Sequence, residues 1–175
     1  RLGFGASRTM QIAQKLYQGI EIDGETIGLI TYMRTDGTNL SKDAIDTFRK
    51  YIKNEFGDEY VPDNAASYSG KKAKNAQEAH EAIRPTDIIR APDTVKKYLS
   101  PDQHKLYDLI WSRALSSQMK PAQFDRNTIT ISSEDDATIC KASGSVIKFD
   151  GFLRVMKDTK KDDDEDILPE MNKGP

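Results

Sequence analysis

The sequence predicts an α+β protein, with a mainly helical part over residues 1–120 and a β-rich part over residues 121–175. Three observations predict it. Apolar residues recur at helical spacing in three stretches before Pro121. Beyond Pro121 the pattern changes to period two. Gly19, Gly57 and Pro121 close the three helical stretches as punctuation should. At 175 residues the chain has room for one domain or two small ones.

The elements follow in order. Ser7 is a candidate N-cap for a first helix, with Met10, Ala13, Leu16 and Tyr17 on its apolar face and Gly19 as its left-handed stop. Asp23-Gly24, set between extended residues, predicts a small hairpin over residues 20–26. An apolar, strand-like run follows through Ile27, Leu29, Ile30, Tyr32 and Met33. Ser41 opens a second helix, where Ile45, Phe48, Ile52 and Phe56 repeat at helical spacing up to Gly57. Residues 57–76 lose all periodicity and read as a long loop, and Pro85 and Pro92 bracket another irregular stretch. Ser100-Pro101 begins a third helix that buries Leu106, Ile110, Trp111, Ala114 and Leu115 and ends at Pro121. Three or four strands are expected beyond it, near residues 124–130, 137–141, 146–149 and 152–156. Turns are expected at Glu134-Asp135-Asp136 and Gly144-Ser145, and an acidic connector over residues 160–166.

Composition narrows the function classes. No run approaches the roughly 18 apolar residues that a membrane span needs. The single cysteine, Cys140, excludes an internal disulfide and a Cys-rich zinc site, and suits a reducing compartment. Net charge is −2, but the first 131 residues carry 19 basic and 17 acidic groups, so a nucleic acid would have to be held in a lined groove rather than on a broad positive face. There is no Gly-x-Gly-x-x-Gly and no Gly-Lys-Ser/Thr loop, so nucleotide binding is unsupported. The chain begins at Arg1 without Met and ends in Asn-Lys-Gly-Pro, as expected of a piece of a longer polypeptide.

Two segments could carry chemistry. In Ile30-Thr31-Tyr32-Met33-Arg34-Thr35-Asp36, extended backbone would bring Tyr32 and Arg34 out on one side. A phenolic oxygen beside a guanidinium can attack a phosphodiester while the guanidinium stabilises charge on the non-bridging oxygens. The competing reading is a tyrosine packed at the core edge, with Arg34 paired to Asp36; spacing leaves both open. In Gln77-Glu78-Ala79-His80-Glu81-Ala82-Ile83-Arg84-Pro85, His80 can donate to a phosphate oxygen, and Arg84 shares its face if the segment is helical. The competing reading is a surface histidine among acidic neighbours. Glu78 and Glu81 are too few and too poorly spaced for a magnesium site. Lys71, Lys72 and Lys74 beside Tyr68 fit either a nucleic-acid contact or a solvated loop, and His104 falls on the polar side of the third helix.

These segments, with Leu2-Gly3-Phe4-Gly5 and residues 9–17 before them, resemble the bacterial topoisomerase I branch of the type IA DNA topoisomerase family. Tyr107, Leu109, Ile110 and Trp111, Phe149-Asp150-Gly151-Phe152, Leu168-Pro169 and Asn172-Lys173-Gly174 continue the likeness in order. The resemblance implies cleavage of one strand of single-stranded or underwound DNA through a 5′-phosphotyrosine, strand passage and resealing, without ATP. Tyr32 would be the nucleophile and Arg34 the phosphate-holding arginine. Thr31 and Asp36 would flank them as positioning residues at the DNA. His80 would contact DNA phosphate, with Arg84 a further candidate in the same segment. Residues 1–120 would form the helical domain bearing the tyrosine, and residues 121–175 part of the arch around the DNA.

The family also has a TOPRIM domain that binds Mg2+, and nothing in this sequence matches it. The expected partners are therefore DNA and the remaining domains of the same polypeptide, and no membrane. The chain alone is expected to be inactive, in a cytoplasmic, nucleoid-associated bacterial setting. Gly37 stands where the family often has Ser. Alternatives are a topoisomerase III-like decatenase fragment, against which Met33 argues, and a non-catalytic DNA-binding module, for which no recognition helix is evident.

Overall fold

The computed structural model describes residues 1–68, 80–133 and 138–156. The fold is α+β, with four helices and two two-stranded antiparallel sheets among the described residues. The chain falls into two compact units, Arg1–Lys120 and Pro121–Pro175.

In the first unit, α1 spans Ala6–Gln18. Ser7 does not cap it. Gly5 occupies the cap position, and its carbonyl accepts both the Thr9 amide and the Thr9 hydroxyl at 3.0 Å, so the helix has begun before Ser7. Ile12, Ala13 and Leu16 are buried, while Met10 and Tyr17, expected in the core, are exposed. Gly19 ends the helix at φ 129°, and a β-carbon there would run into the Thr26 side chain of the following hairpin. That hairpin forms as the Asp-Gly pair requires. β1 (Ile20–Ile22) and β2 (Glu25–Ile27) are joined through Asp23 and Gly24, both at positive φ.

α2 (Lys42–Phe56) starts at Ser41, whose hydroxyl accepts the Ala44 amide, and ends at Gly57. Phe48 and Ile52 are its buried anchors, with Ile45 and Phe56 half-buried. A short helix α3 (Pro92–Val95) precedes α4 (Pro101–Ser116). Ser100 and Gln103 close a reciprocal capping box at the start of α4. α4 stops at Ser116, before Pro121, and finishes in turns. It packs on α1, and an Arg8–Asp102 ion pair ties the two.

α4 organises the irregular chain around it. Trp111 Nε1 donates to the Ile88 carbonyl at 2.9 Å, and the buried Tyr107 hydroxyl donates to the Arg90 carbonyl at 2.7 Å. Gln118, fully buried just beyond the helix, satisfies both sides of its amide on the backbone of Ala66, at 3.2 and 3.1 Å. Tyr68 donates to the Ser117 carbonyl. The first half of the long predicted loop is therefore pinned to the end of α4. Lys71, Lys72 and Lys74 lie outside the described residues.

The second unit corrects the strand count. Two long strands, β3 (Gln123–Ser132) and β4 (Ile139–Phe149), form one hairpin. Gly144-Ser145 is no turn: Gly144 pairs with Asn127 in the middle of the ladder. A two-stranded ribbon has room on both faces, so a glycine there breaks nothing that packing would otherwise enforce. Residues 152–156 are not a strand either, since Gly151–Arg154 forms a 3-10 turn. The expected acidic turn and the connector at 160–166 involve residues outside those described.

Burial pushes the Tyr107 phenol well above its ordinary value, with the Asp87 charge adding to the effect, so the hydroxyl stays a neutral donor. Tyr107→Phe removes that donor and leaves the Arg90 carbonyl unpaired. Urea unfolding should show a loss of about 1–2 kcal/mol with the m-value unchanged. An unshifted midpoint would show that the bond contributes nothing.

Candidate active site around Tyr32

The tyrosine segment is not a regular strand. Its upstream part is held by backbone contacts with the stretch after His80. The Thr31 amide donates to the Arg84 carbonyl at 2.9 Å, the Arg84 amide to the Thr31 hydroxyl at 3.0 Å, and the Thr86 amide to the Leu29 carbonyl at 3.0 Å. The Thr86 hydroxyl reaches the Gly28 carbonyl at 2.7 Å, and Ile30 bridges Pro85. Leu29, Ile30 and Met33 are buried, whereas Tyr32 is 54% exposed. The Arg34 amide closes a tight turn onto the Tyr32 carbonyl at 2.9 Å. The chain therefore bends at Met33, turning that side chain inward between two exposed ones.

Residues 32–36 and, from α1, Met10 and Gln14 line one open cavity of about 470 Å³. The Tyr17 ring meets Tyr32 edge-on, with centroids 5.1 Å apart. Met10 and Tyr17 thus leave the core to face the tyrosine. Helical spacing could not reveal this, because both positions border the apolar stripe. Their one sequence signal was size and hydrophobicity at the margin of that stripe.

Arg34 Nη2 lies 3.2 Å from Asp36 Oδ2, and His80 Nε2 lies 3.9 Å from the same oxygen. The three side chains are each about half exposed. Asp36 therefore sits between two groups that can face an anion. Thr31 and Arg84 are placed differently. The Thr31 hydroxyl donates to the Ala82 carbonyl at 2.9 Å, so its bonds are to protein. The segment from His80 to Pro85 is extended rather than helical, so Arg84 does not share a helical face with His80. The Arg84 side chain, 16% exposed, grips Glu81 through Nε at 2.7 Å and Nη2 at 3.2 Å, and reaches the Pro85 carbonyl. Residues 77–79 lie outside the described residues. On α4, His104 Nε2 is shielded and has no hydrogen-bond partner among the described residues.

No group of three His, Cys, Asp or Glu side chains among the described residues could hold a metal ion. The one carboxylate in the cavity, Asp36, already faces Arg34 and His80. The described residues of the cavity do not fit a divalent cation. No described helix is long and apolar enough to cross a membrane.

A half-exposed phenol and a guanidinium thus line one cavity, and an imidazole lies 3.9 Å from the carboxylate that the guanidinium pairs with. A sequence model of the DNA topoisomerase family matches residues 1–175. The chain belongs to the type IA DNA topoisomerase family. It is 52% identical over 166 residues to DNA topoisomerase 1 of Rickettsia typhi, covering 95% of this chain and 21% of the relative. It is 45% identical over 174 residues to DNA topoisomerase 1 of Salmonella typhimurium, covering 99% and 19%. Among solved structures, full-length topoisomerase I from Thermotoga maritima superposes with a TM-score of 0.77 at 42% identity, covering 90% of this chain and 24% of that one. The chain spans about a fifth of the length of these curated relatives.

The Glu81 carboxyl links both arms of the site, since it also accepts the Ser41 amide at 3.1 Å. Burial alone would raise its pKa, but the bonds from Arg84 and Ser41 outweigh this and hold it below the ordinary carboxylate value. A lowered folded-state pKa contributes stability that is present above the unfolded value, near ~4.3, and lost as pH falls through the folded one. Glu81→Gln should cost about 1 kcal/mol at pH 7. Thermal melts from pH 7 to 3 should show the gap from wild type closing below about pH 4.3. A gap constant with pH would count against the charged staple.

Proposed function

We propose that this chain is the tyrosine-bearing part of an enzyme that relaxes DNA by cutting, passing and resealing single strands. The observation that carries the reading is the open cavity where the accessible Tyr32 phenol stands beside Arg34 and Asp36. The family and the names of the relatives support it.

Tyr32 Oη attacks the phosphorus of a backbone phosphodiester, forming the new O–P bond as the bond from phosphorus to the 3′ oxygen breaks. The phenol proton leaves to solvent, and the departing 3′ oxygen takes one up as a 3′ hydroxyl. The product is a 5′-phosphotyrosine, and reversal reseals the strand. One phosphodiester is exchanged for another, so ATP has no part in the step. Arg34 presents a planar fork to the non-bridging oxygens where charge builds up. Asp36 orients Arg34 and His80, and His80 donates to a neighbouring phosphate. Thr31 and Arg84, bonded to protein, position the backbone that carries Tyr32. Met10, Tyr17 and Gln14 form the wall against which the strand lies.

The first unit is the tyrosine-bearing domain and the second is part of the arch around the DNA. Magnesium, used by the intact enzyme, is held on another part of the longer polypeptide, in the cytoplasm of a bacterial cell. The chain alone does not cleave.

End-labelled single-stranded DNA and magnesium, mixed with the chain and a separately produced TOPRIM-bearing piece, should yield a labelled protein adduct. The adduct should need both pieces and vanish in Tyr32→Phe. Its persistence in that variant, or its absence when the two pieces demonstrably associate and intact enzyme works, would falsify the assignment of Tyr32. Strong magnesium-dependent nicking by the chain alone would overturn its predicted inactivity. In the same assay Arg34→Ala should slow adduct formation roughly 10²–10³-fold, the scale of losing one charge-stabilising donor. A loss under threefold would leave Arg34 as a surface ion pair with Asp36.

A further inference from the structure

Tyr68 carries an exposed aromatic ring that the chain nevertheless holds in place. Its phenol donates to the Ser117 carbonyl at 3.0 Å, just past the end of α4, and its own carbonyl accepts the Thr38 hydroxyl at 3.1 Å. The residue is thus fixed at its tip and at its backbone, yet 53% of it stays open to solvent. Among the described residues its ring meets no other ring. The stretch that Tyr68 ends is already pinned two residues earlier, where the buried Gln118 takes both the amide and the carbonyl of Ala66. A further tether there needs only a hydroxyl, and the ring adds an apolar surface that the fold does not cover.

Position gives that surface a use. Thr38 lies two residues beyond Asp36, at most about 7 Å of chain. Asp36 lines the cavity with Tyr32 and Arg34, and it is the group that His80 approaches. The Tyr68 backbone, bonded to Thr38, therefore stands beside the end of the site where Asp36 and His80 meet.

We propose that Tyr68 is a stacking platform for an unpaired base of the DNA strand bound at Tyr32, a base flanking the phosphates that Arg34 and His80 face. The inference deepens the reading of the chain as part of a DNA-cutting enzyme and rests on it. Every base has a π-face, so an aromatic ring holds bases without regard to sequence, and a single strand leaves its bases free to lie on one. A loose ring would lose its freedom on binding. Here the Ser117 and Thr38 bonds have removed it beforehand, so less is lost when the strand arrives. Basic and acidic groups are nearly balanced over the first 131 residues, which keeps phosphate attraction weak and gives a base contact a larger share of the affinity.

The test titrates two fluorescent single strands of equal length with the 175-residue chain, one bearing bases and one abasic throughout, and reads anisotropy. Tyr68→Leu keeps apolar bulk and removes the aromatic face. It should weaken binding of the base-bearing strand about tenfold, the scale of one lost base–aromatic stack, and that of the abasic strand less than about twofold. Tyr68→Phe keeps the ring and should stay within about threefold of wild type on both strands. Equal weakening on the two strands would show that Tyr68 acts through the fold, and unchanged affinity on both that it touches no base; either overturns the inference. Tyr68→Phe as weak as Tyr68→Leu assigns the effect to the hydroxyl and overturns it too. An inert Tyr68→Leu beside a weakened His80→Ala removes the platform and leaves the DNA reading standing. A wild-type chain that binds neither strand removes both together. Emission from Trp111, the single tryptophan, reports whether each variant is folded. An unfolded Tyr68→Leu makes the ring a folding requirement and overturns it as a platform.

Discussion

The site depends on the pairing of the 28–31 backbone with the 84–86 backbone. Neither segment belongs to a sheet, and each would be loop without the other. Their bonds are individually modest, about 1 kcal/mol net, yet they are obligatory because Leu29 and Ile30 are buried around them. A buried amide cannot exchange its partner for water, so burial turns weak bonds into fixed geometry. α4 holds the far side through Trp111 on Ile88 and Tyr107 on Arg90. A helix capped by its own sequence thus locates the backbone that carries Tyr32, although it supplies no side chain to the cavity.

From that support the chain places alternate side chains in opposite environments. Met33 goes inward and anchors the bend, while Tyr32 and Arg34 go outward. The exposed Arg34–Asp36 pair is worth little to stability, because water and salt screen it and its long side chain loses freedom in forming it. That low value suits the proposed reaction. A guanidinium buried with its carboxylate would have to break a costly pair to reach a phosphate, whereas this one exchanges partners at small cost. Arg84 is the opposite case: shielded and gripped by Glu81, it is spent on structure.

The sequence revealed most where one local cause was sufficient. Ser41 and Ser100 as caps, Asp23-Gly24 as a hairpin turn, and the Phe48–Ile52 face each follow from one residue type in one place. It misled where the deciding contact was distant. Gln118 looks like any polar residue after a helix, and only the return of Ala66 makes it a fully buried clamp. Met10 and Tyr17 satisfy helical periodicity but lie outside the core, Met10 on the cavity that residues 32–36 complete and Tyr17 against the Tyr32 ring. In the ribbon, Gly144-Ser145 carries a turn's composition, yet pairing with β3 on every side of it keeps the strand straight.

At Tyr32 itself, spacing offered two readings, a nucleophile with its arginine or an edge tyrosine beside an Arg–Asp pair. The structure shows that the two are not exclusive. Arg34 is paired with Asp36, Tyr32 does sit beside a ring from α1, and the phenol is still open to the cavity they share. On the proposed reading, the ion pair and the ring contact limit where the guanidinium and the phenol can go without covering them. Local sequence could not separate these readings because the same residues, in the same contacts, serve both.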